Sequence, residues 1–132
     1  MKKLIVNITW DDNFGAYSDI LPGCVATAKS LEGVKEAYAS AMAMHLQGMV
    51  EDGEEIPSIL QNDYEADYRL NTQALLKSLD GKISRAAIAR ASGINERQLG
   101  HYITGRVTPR PDNRKKVVEG IHQIASELLK VV

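Results

Sequence analysis

Residues Ser84 to Gly105, SRAAIARASGINERQLGHYITG, read as two short helices joined by a tight turn. Apolar or small side chains at Ile88, Ala89, Ile94, Leu99 and Tyr102 fall where a helix-turn-helix needs its internal packing. Gly93 stands at the turn, where a left-handed backbone costs least. The second helix then turns Asn95, Glu96, Arg97, Gln98 and His101 outward, side chains suited to the edges of base pairs. The pattern points to a DNA-reading module.

Cations gather around it. Arg85, Arg90, Arg97, Arg106, Arg110, Arg114, Lys115 and Lys116 lie in or beside the motif, and phosphate neutralisation by such residues supplies most non-specific affinity. Arg97 and Gln98 are the expected base readers, Arg for guanine and Gln for adenine. Asn95 is expected to cap the second helix and also to touch phosphate. Arg85 is expected to meet the DNA backbone, and Glu96 to accept from cytosine. His101 either reaches the groove or stays an exposed bystander. The expected DNA-binding set is Arg85, Asn95, Glu96, Arg97, Gln98, His101, Arg106, Arg110 and Lys115.

The flanking helices complete this half. Asn71 or Thr72 caps a helix carrying Leu75, Leu76 and Leu79, which Asp80-Gly81 ends. A last helix from about Asp112 to Val131 repeats apolar residues at three and four: Val117, Val118, Ile121, Ile124, Ala125, Leu128 and Leu129. Leu128, Leu129, Val131 and Val132 exceed what a small four-helix core uses, so a dimer contact is expected there.

Upstream the periodicity changes. In KLIVNITW, residues 3–10, Leu4, Val6, Ile8 and Trp10 alternate with Lys3, Asn7 and Thr9, and Ile5 is the one exception. Asp11-Asp12-Asn13 is turn chemistry, so a return strand from Phe14 to Ile20 is expected. Leu21-Pro22-Gly23 breaks it, and Cys24 to Lys29 forms a third strand. Ser30 caps a helix over Leu31–Val50 whose apolar stripe runs through Leu31, Val34, Tyr38, Ala41, Met42 and Met49. Met42, Met44 and Met49 read as core filler. After a loop around Pro57, Asp63 to Leu70 alternates again as a fourth strand. This is a small α+β layer with one helix on one sheet face.

Of 132 residues, 44% are hydrophobic and 25% charged, ordinary for a globular chain. The net charge of −1 conceals opposed halves: −8 before Arg69 and +7 from there onward. Such asymmetry fits a basic partner for one half and a polyanion for the other. A single cysteine, Cys24, excludes an internal disulfide. Asn7, Asp11 and Asp12 interrupt any signal-peptide core, and no apolar run nears the ~20 residues that span a bilayer. A cytoplasmic protein with no membrane association is expected.

The acidic half raises a nuclease hypothesis, in which carboxylates hold two magnesium ions. Asp11, Asp12 and Asp19 instead fall in or beside a turn, Asp67 alternates with Glu65 on a solvent face, and no histidine base is in range. His45, His101 and His122 have no ligand spacing. No catalytic residue, metal or cofactor is expected. A stand-alone regulator whose N-terminal domain senses a small ligand remains the alternative.

The turn DDNFGAY, the phrase DILPGCVATAKSLEGVKEA, the helix end MVEDGEEIP, the strand YEADYRL and the segment GINERQLGHYITGRVTPRP together resemble the HicB antitoxins that carry a DNA-binding extension. The resemblance covers nearly the whole chain. It implies an α+β protein with a β-β-β-α-β, degenerate RNase H-like N-terminal domain over residues 1–71. An all-α, lambda-repressor-like helix-turn-helix domain over residues 72–132 follows. It implies a domain without catalysis that binds a HicA-like mRNA interferase toxin, assembly as dimers or higher oligomers, and repression of the protein's own operon through operator double-stranded DNA. Asp12, Asp19 and Asp67 are the toxin-contact candidates, chosen from charge and expected exposure. Gly33 departs from the pattern, standing where a good helix former is usual.

Overall fold

Strand β1, Lys2–Asp11, buries Leu4, Val6 and Ile8 and turns its alternate residues outward, as period-two patterning demands. Asp12, at φ 60°, turns the chain into β2, Asn13–Tyr17, which pairs antiparallel with β1. Trp10 and Phe14 meet edge to face beside this turn, ring centroids 4.9 Å apart. β2 ends at Tyr17; Ser18 to Cys24 is a pair of tight turns closed by Leu21 N to Ser18 O and Cys24 N to Leu21 O, both 3.1 Å. β3, Val25–Ala28, then pairs antiparallel with β2.

Helix α1, Leu31–Glu51, starts where Ser30 Oγ accepts from Gly33 N at 3.0 Å. A side chain at Gly33 would press on that same oxygen, with its Cβ 2.8 Å from Ser30 Oγ. The glycine keeps the cap intact at some cost in helix propensity. α1 lays Val34, Tyr38 and Met42 across Leu4, Val6, Ile8, Phe14 and Ala16 to form the core. Met42 and Met49 pack there, but Met44 is 75% exposed, contrary to its reading as filler. A 3-10 turn, Ser58–Leu60, leads to β4, Tyr64–Leu70, which runs parallel to β1. The sheet order is therefore β3-β2-β1-β4.

Helices α2 (Thr72–Ser78), α3 (Arg85–Ser92), α4 (Glu96–Ile103) and α5 (Pro111–Leu129) follow. The computed structural model describes residues 1–132, which divide into two compact units: a sheet unit, Met1–Ala74, and a helical unit, Leu75–Val132. The core of the helical unit is Leu76, Ile88, Ile94, Leu99, Tyr102 and Val117. No helix is long and apolar enough to cross a membrane.

These elements correct the expected fold description. A β-β-β-α-β degenerate RNase H-like domain joined to a separate all-α, lambda-repressor-like domain does not describe the chain. It is an α+β fold with a mixed four-stranded sheet and five α-helices. The sheet layer also takes in the 3-10 turn and the first turn of α2, where Asn71 Oδ1 accepts from Ala74 N at 2.8 Å and Ala74 is fully buried. The division thus falls inside a helix. Apolar alternation reports which face of a segment is buried, but not which segments share a core.

Candidate nucleic-acid interface

The helical unit builds its exposed α4 from local signals. Ser84 Oγ caps α3 by accepting from Ala87 N at 3.1 Å. Gly93 ends α3 at φ 77°, where its N–H returns to Ala89 O at 2.9 Å. Ser92 Oγ accepts from Ile94 N at 3.1 Å, fixing the turn between the helices. Asn95 Oδ1 then caps α4 by accepting from Gln98 N at 2.8 Å. Leu99 and Tyr102 seat α4 on the core at 0% and 1% exposure.

The polar side chains of α4 are not equivalent. Glu96 and Arg97 are exposed in its first turn. Gln98 is half-buried, and its Nε2 donates to Tyr102 Oη at 3.2 Å. Asn113 Nδ2 donates to the same oxygen at 3.3 Å, tying α5 to α4. A two-point contact from Gln98 to adenine would have to displace the Tyr102 bond, whereas Arg97 has no competing partner in hydrogen-bond geometry. His101 is half-buried, one turn beyond Arg97.

Arg85 approaches α4 from α3: its Nη1 lies 2.9 Å from where a Cβ on Gly100 would stand. Gly100 therefore leaves the space that this guanidinium occupies. Arg90 shares an open concavity of about 470 Å³ with Asn95 and Glu96, beside the turn. Arg106 is exposed in the loop after α4, and Arg110 occupies the N-cap position of α5 without a side-chain cap bond. Pro111 starts that helix, at a position where its missing N–H costs nothing. Lys115 is exposed and lies 3.9 Å from Glu119, a weak surface pair. Burial lowers the Arg114 pKa, which separates it from the exposed cations around it. The arrangement presents Arg97, Arg85, Arg90, Arg106 and Arg110 as cations and the α4 N-terminus as a positive dipole end.

In the sheet unit the acidic candidates scatter. Asp12 sits at the hairpin tip and Asp19 beyond the opposite end of β2. Asp67, on β4, accepts from Arg69 at 2.8 Å, and that guanidinium holds its carboxyl below the usual range. Asp19 and Arg69 line one cavity of about 510 Å³, together with Lys3, Asn7 and Ile5. Sequence reasoning passed over Ile5, Tyr17, Ile20 and Val25, which are 46%, 40%, 39% and 64% exposed. The signal lay in Ile5, the one apolar residue at an outward position of β1.

No family model matches the chain, and no curated protein matches it either.

Proposed function

We propose that this chain is a HicB-type antitoxin and autorepressor of the cytoplasm, without catalytic activity. Its helical unit binds operator double-stranded DNA as a homodimer or higher oligomer, and its acidic sheet unit holds a HicA-like toxin. The observation that carries the reading is the exposed first turn of α4, where Arg97 stands free beside a helix N-terminus capped by Asn95. The charge of the units supports it. Residues 75–132 hold eleven basic and five acidic side chains, and residues 1–74 hold five basic and twelve acidic. Opposite fields of this size steer association with a polyanion and with a basic protein respectively.

Recognition by one short helix reads few base pairs, so operator specificity calls for paired half-sites. The apolar end of α5 supports pairing of copies: Leu128 and Leu129 are 62% and 86% exposed. A second reading, a stand-alone regulator with a ligand-sensing sheet unit, draws on the cavity beside Asp19 and Arg69. One experiment separates the two. The full chain is titrated onto its own promoter DNA, alone and with the small basic protein of the adjacent reading frame, whose growth arrest is scored in co-expression. Relief of arrest together with promoter binding fits the antitoxin. Promoter binding shifted by a small molecule, with no arrest to relieve, fits the sensor.

A further inference from the structure

The sheet of the N-terminal unit is covered on one face only. α1 packs over Leu4, Val6, Ile8, Phe14 and Ala16, whereas the outward positions of β1, β2 and β3 carry Ile5, Tyr17 and Val25 in the open. Register brings them together: Val25 lies opposite Tyr17, Tyr17 opposite Asn7, and Asn7 opposite Arg69, one continuous row across the sheet. Ile5 stands one outward position along β1 from Asn7, and Ile20 borders the same cavity. Isolated exposed apolar residues are ordinary, but a contiguous group rimmed by polar side chains marks an interaction surface.

The charges around this face select the partner. Arg69 is already engaged by Asp67, and Lys3 lies opposite Glu65 in the parallel register. Asp19 lines the cavity with Lys3 and Arg69 but pairs with neither within ion-pair distance, whereas Asp12 lies at the hairpin tip, away from this face. The whole unit holds twelve acids against five bases. An apolar group within a net acidic unit fits a basic protein, which the field steers in and Tyr17, Val25 and Ile5 then anchor. The cavity of about 510 Å³, lined by Ile5, Ile20 and Ile59 with Asp19 at its edge, gives that face a concave apolar foothold.

We infer that the open sheet face centred on Tyr17, with Val25, Ile5 and the cavity beside Asp19, is the docking surface for the basic toxin. The inference rests on the antitoxin reading above and deepens it by naming the face.

The test uses the full chain co-expressed with the tagged small basic protein of the adjacent reading frame. Tyr17→Asp and Val25→Asp are compared with Met44→Asp, on the exposed side of α1, and with the milder Val25→Ser. Tyr17 and Val25 are open to solvent, so the new carboxylates need no burial; circular dichroism and the thermal midpoint check that each variant folds. The expected result is at least tenfold weaker capture for Tyr17→Asp and Val25→Asp, a smaller loss for Val25→Ser, and wild-type capture for Met44→Asp. Wild-type capture by folded Tyr17→Asp and Val25→Asp overturns the docking face and leaves the antitoxin reading standing. No capture by the wild-type chain removes both. A dimer by light scattering that falls to monomer in Tyr17→Asp assigns the face to a second copy and also overturns the inference.

Discussion

Gly120 of α5 rides directly on the backbone of Ser92 in α3: a Cβ at this glycine would lie 2.8 Å from Ser92 N and 2.9 Å from Ser92 Cα. Backbone cannot step aside as the end of a flexible side chain can. The two helices touch here because neither brings bulk to the crossing, and the contact sits immediately before the turn that aims α4. Gly120→Ala is expected to destabilise the helical unit by ~1–3 kcal/mol, the range for overpacking a tight site. Chemical denaturation followed by far-UV circular dichroism measures it, and a stability equal to wild type would show that the helices separate freely.

Gly93 raises a different cost. Its φ of 77° is left-handed, yet an added Cβ meets nothing within 4 Å. The penalty for Gly93→Ala is then conformational alone, ~1–2 kcal/mol. Gly93→Asn should cost less, because Asn tolerates the left-handed region. Equal losses for the two variants would point to a steric cause and contradict the open space seen here.

The buried Tyr38 hydroxyl, beside Cys24 and Ser18, completes no hydrogen bond of good geometry. Burial pushes this phenol from 10.0 up to about 12. A group whose pKa rises on folding lends stability that is intact below its unfolded value and lost as pH climbs through the folded one. The loss from Tyr38 therefore falls between pH 10 and about 12. Tyr38→Phe should keep wild-type stability at pH 7, within ~1 kcal/mol, since no bond is forfeited. It should also unfold less readily than wild type in that alkaline window. Thermal melts across pH 7–12 decide the matter, and a large loss at pH 7 would reveal a partner for the hydroxyl.

Arg97 and Gln98 are neighbours with different freedom. On the operator-binding proposal, Arg97→Ala should lower discrimination at one base pair by ~1–3 kcal/mol. Gln98→Ala should cost less in discrimination, because its amide is held by Tyr102. Gel-shift titrations on promoter DNA with single base-pair changes compare the two. A larger specificity loss for Gln98→Ala would mean that the Tyr102 bond opens on DNA.

Much of the local structure was legible in advance. Ser30 and Asn95 announce helix starts, and Gly93 a turn at a helix end, because capping is decided within three or four residues, whereas the Ser84 cap emerged only in the structure. The alternation of Leu4, Val6 and Ile8 reports a half-buried strand for the same reason. Gly33 was visible only as a departure; the oxygen of Ser30 explains it. The return strand ends at Tyr17, earlier than Ile20, because Ser18 to Cys24 closes its own turns. For the candidate interface, the sequence identified the exposed arginines but not the bond that holds Gln98 to Tyr102, which depends on side-chain rotamers.

The amino-acid sequence by itself determined the order and type of most elements, the caps at Ser30 and Asn95, the opposed charges of the two halves and the helix-turn-helix pattern. Each of these is a property of neighbours along the chain. Only the tertiary structure decided that β4 joins β1 in parallel, and that α2 begins on one core and continues into another. It also decided that Tyr17 and Val25 share one open row across the sheet with Ile5 beside it, and that Gly120 meets Ser92. Those relations link residues far apart in sequence, and packing, which no local pattern encodes, selects them.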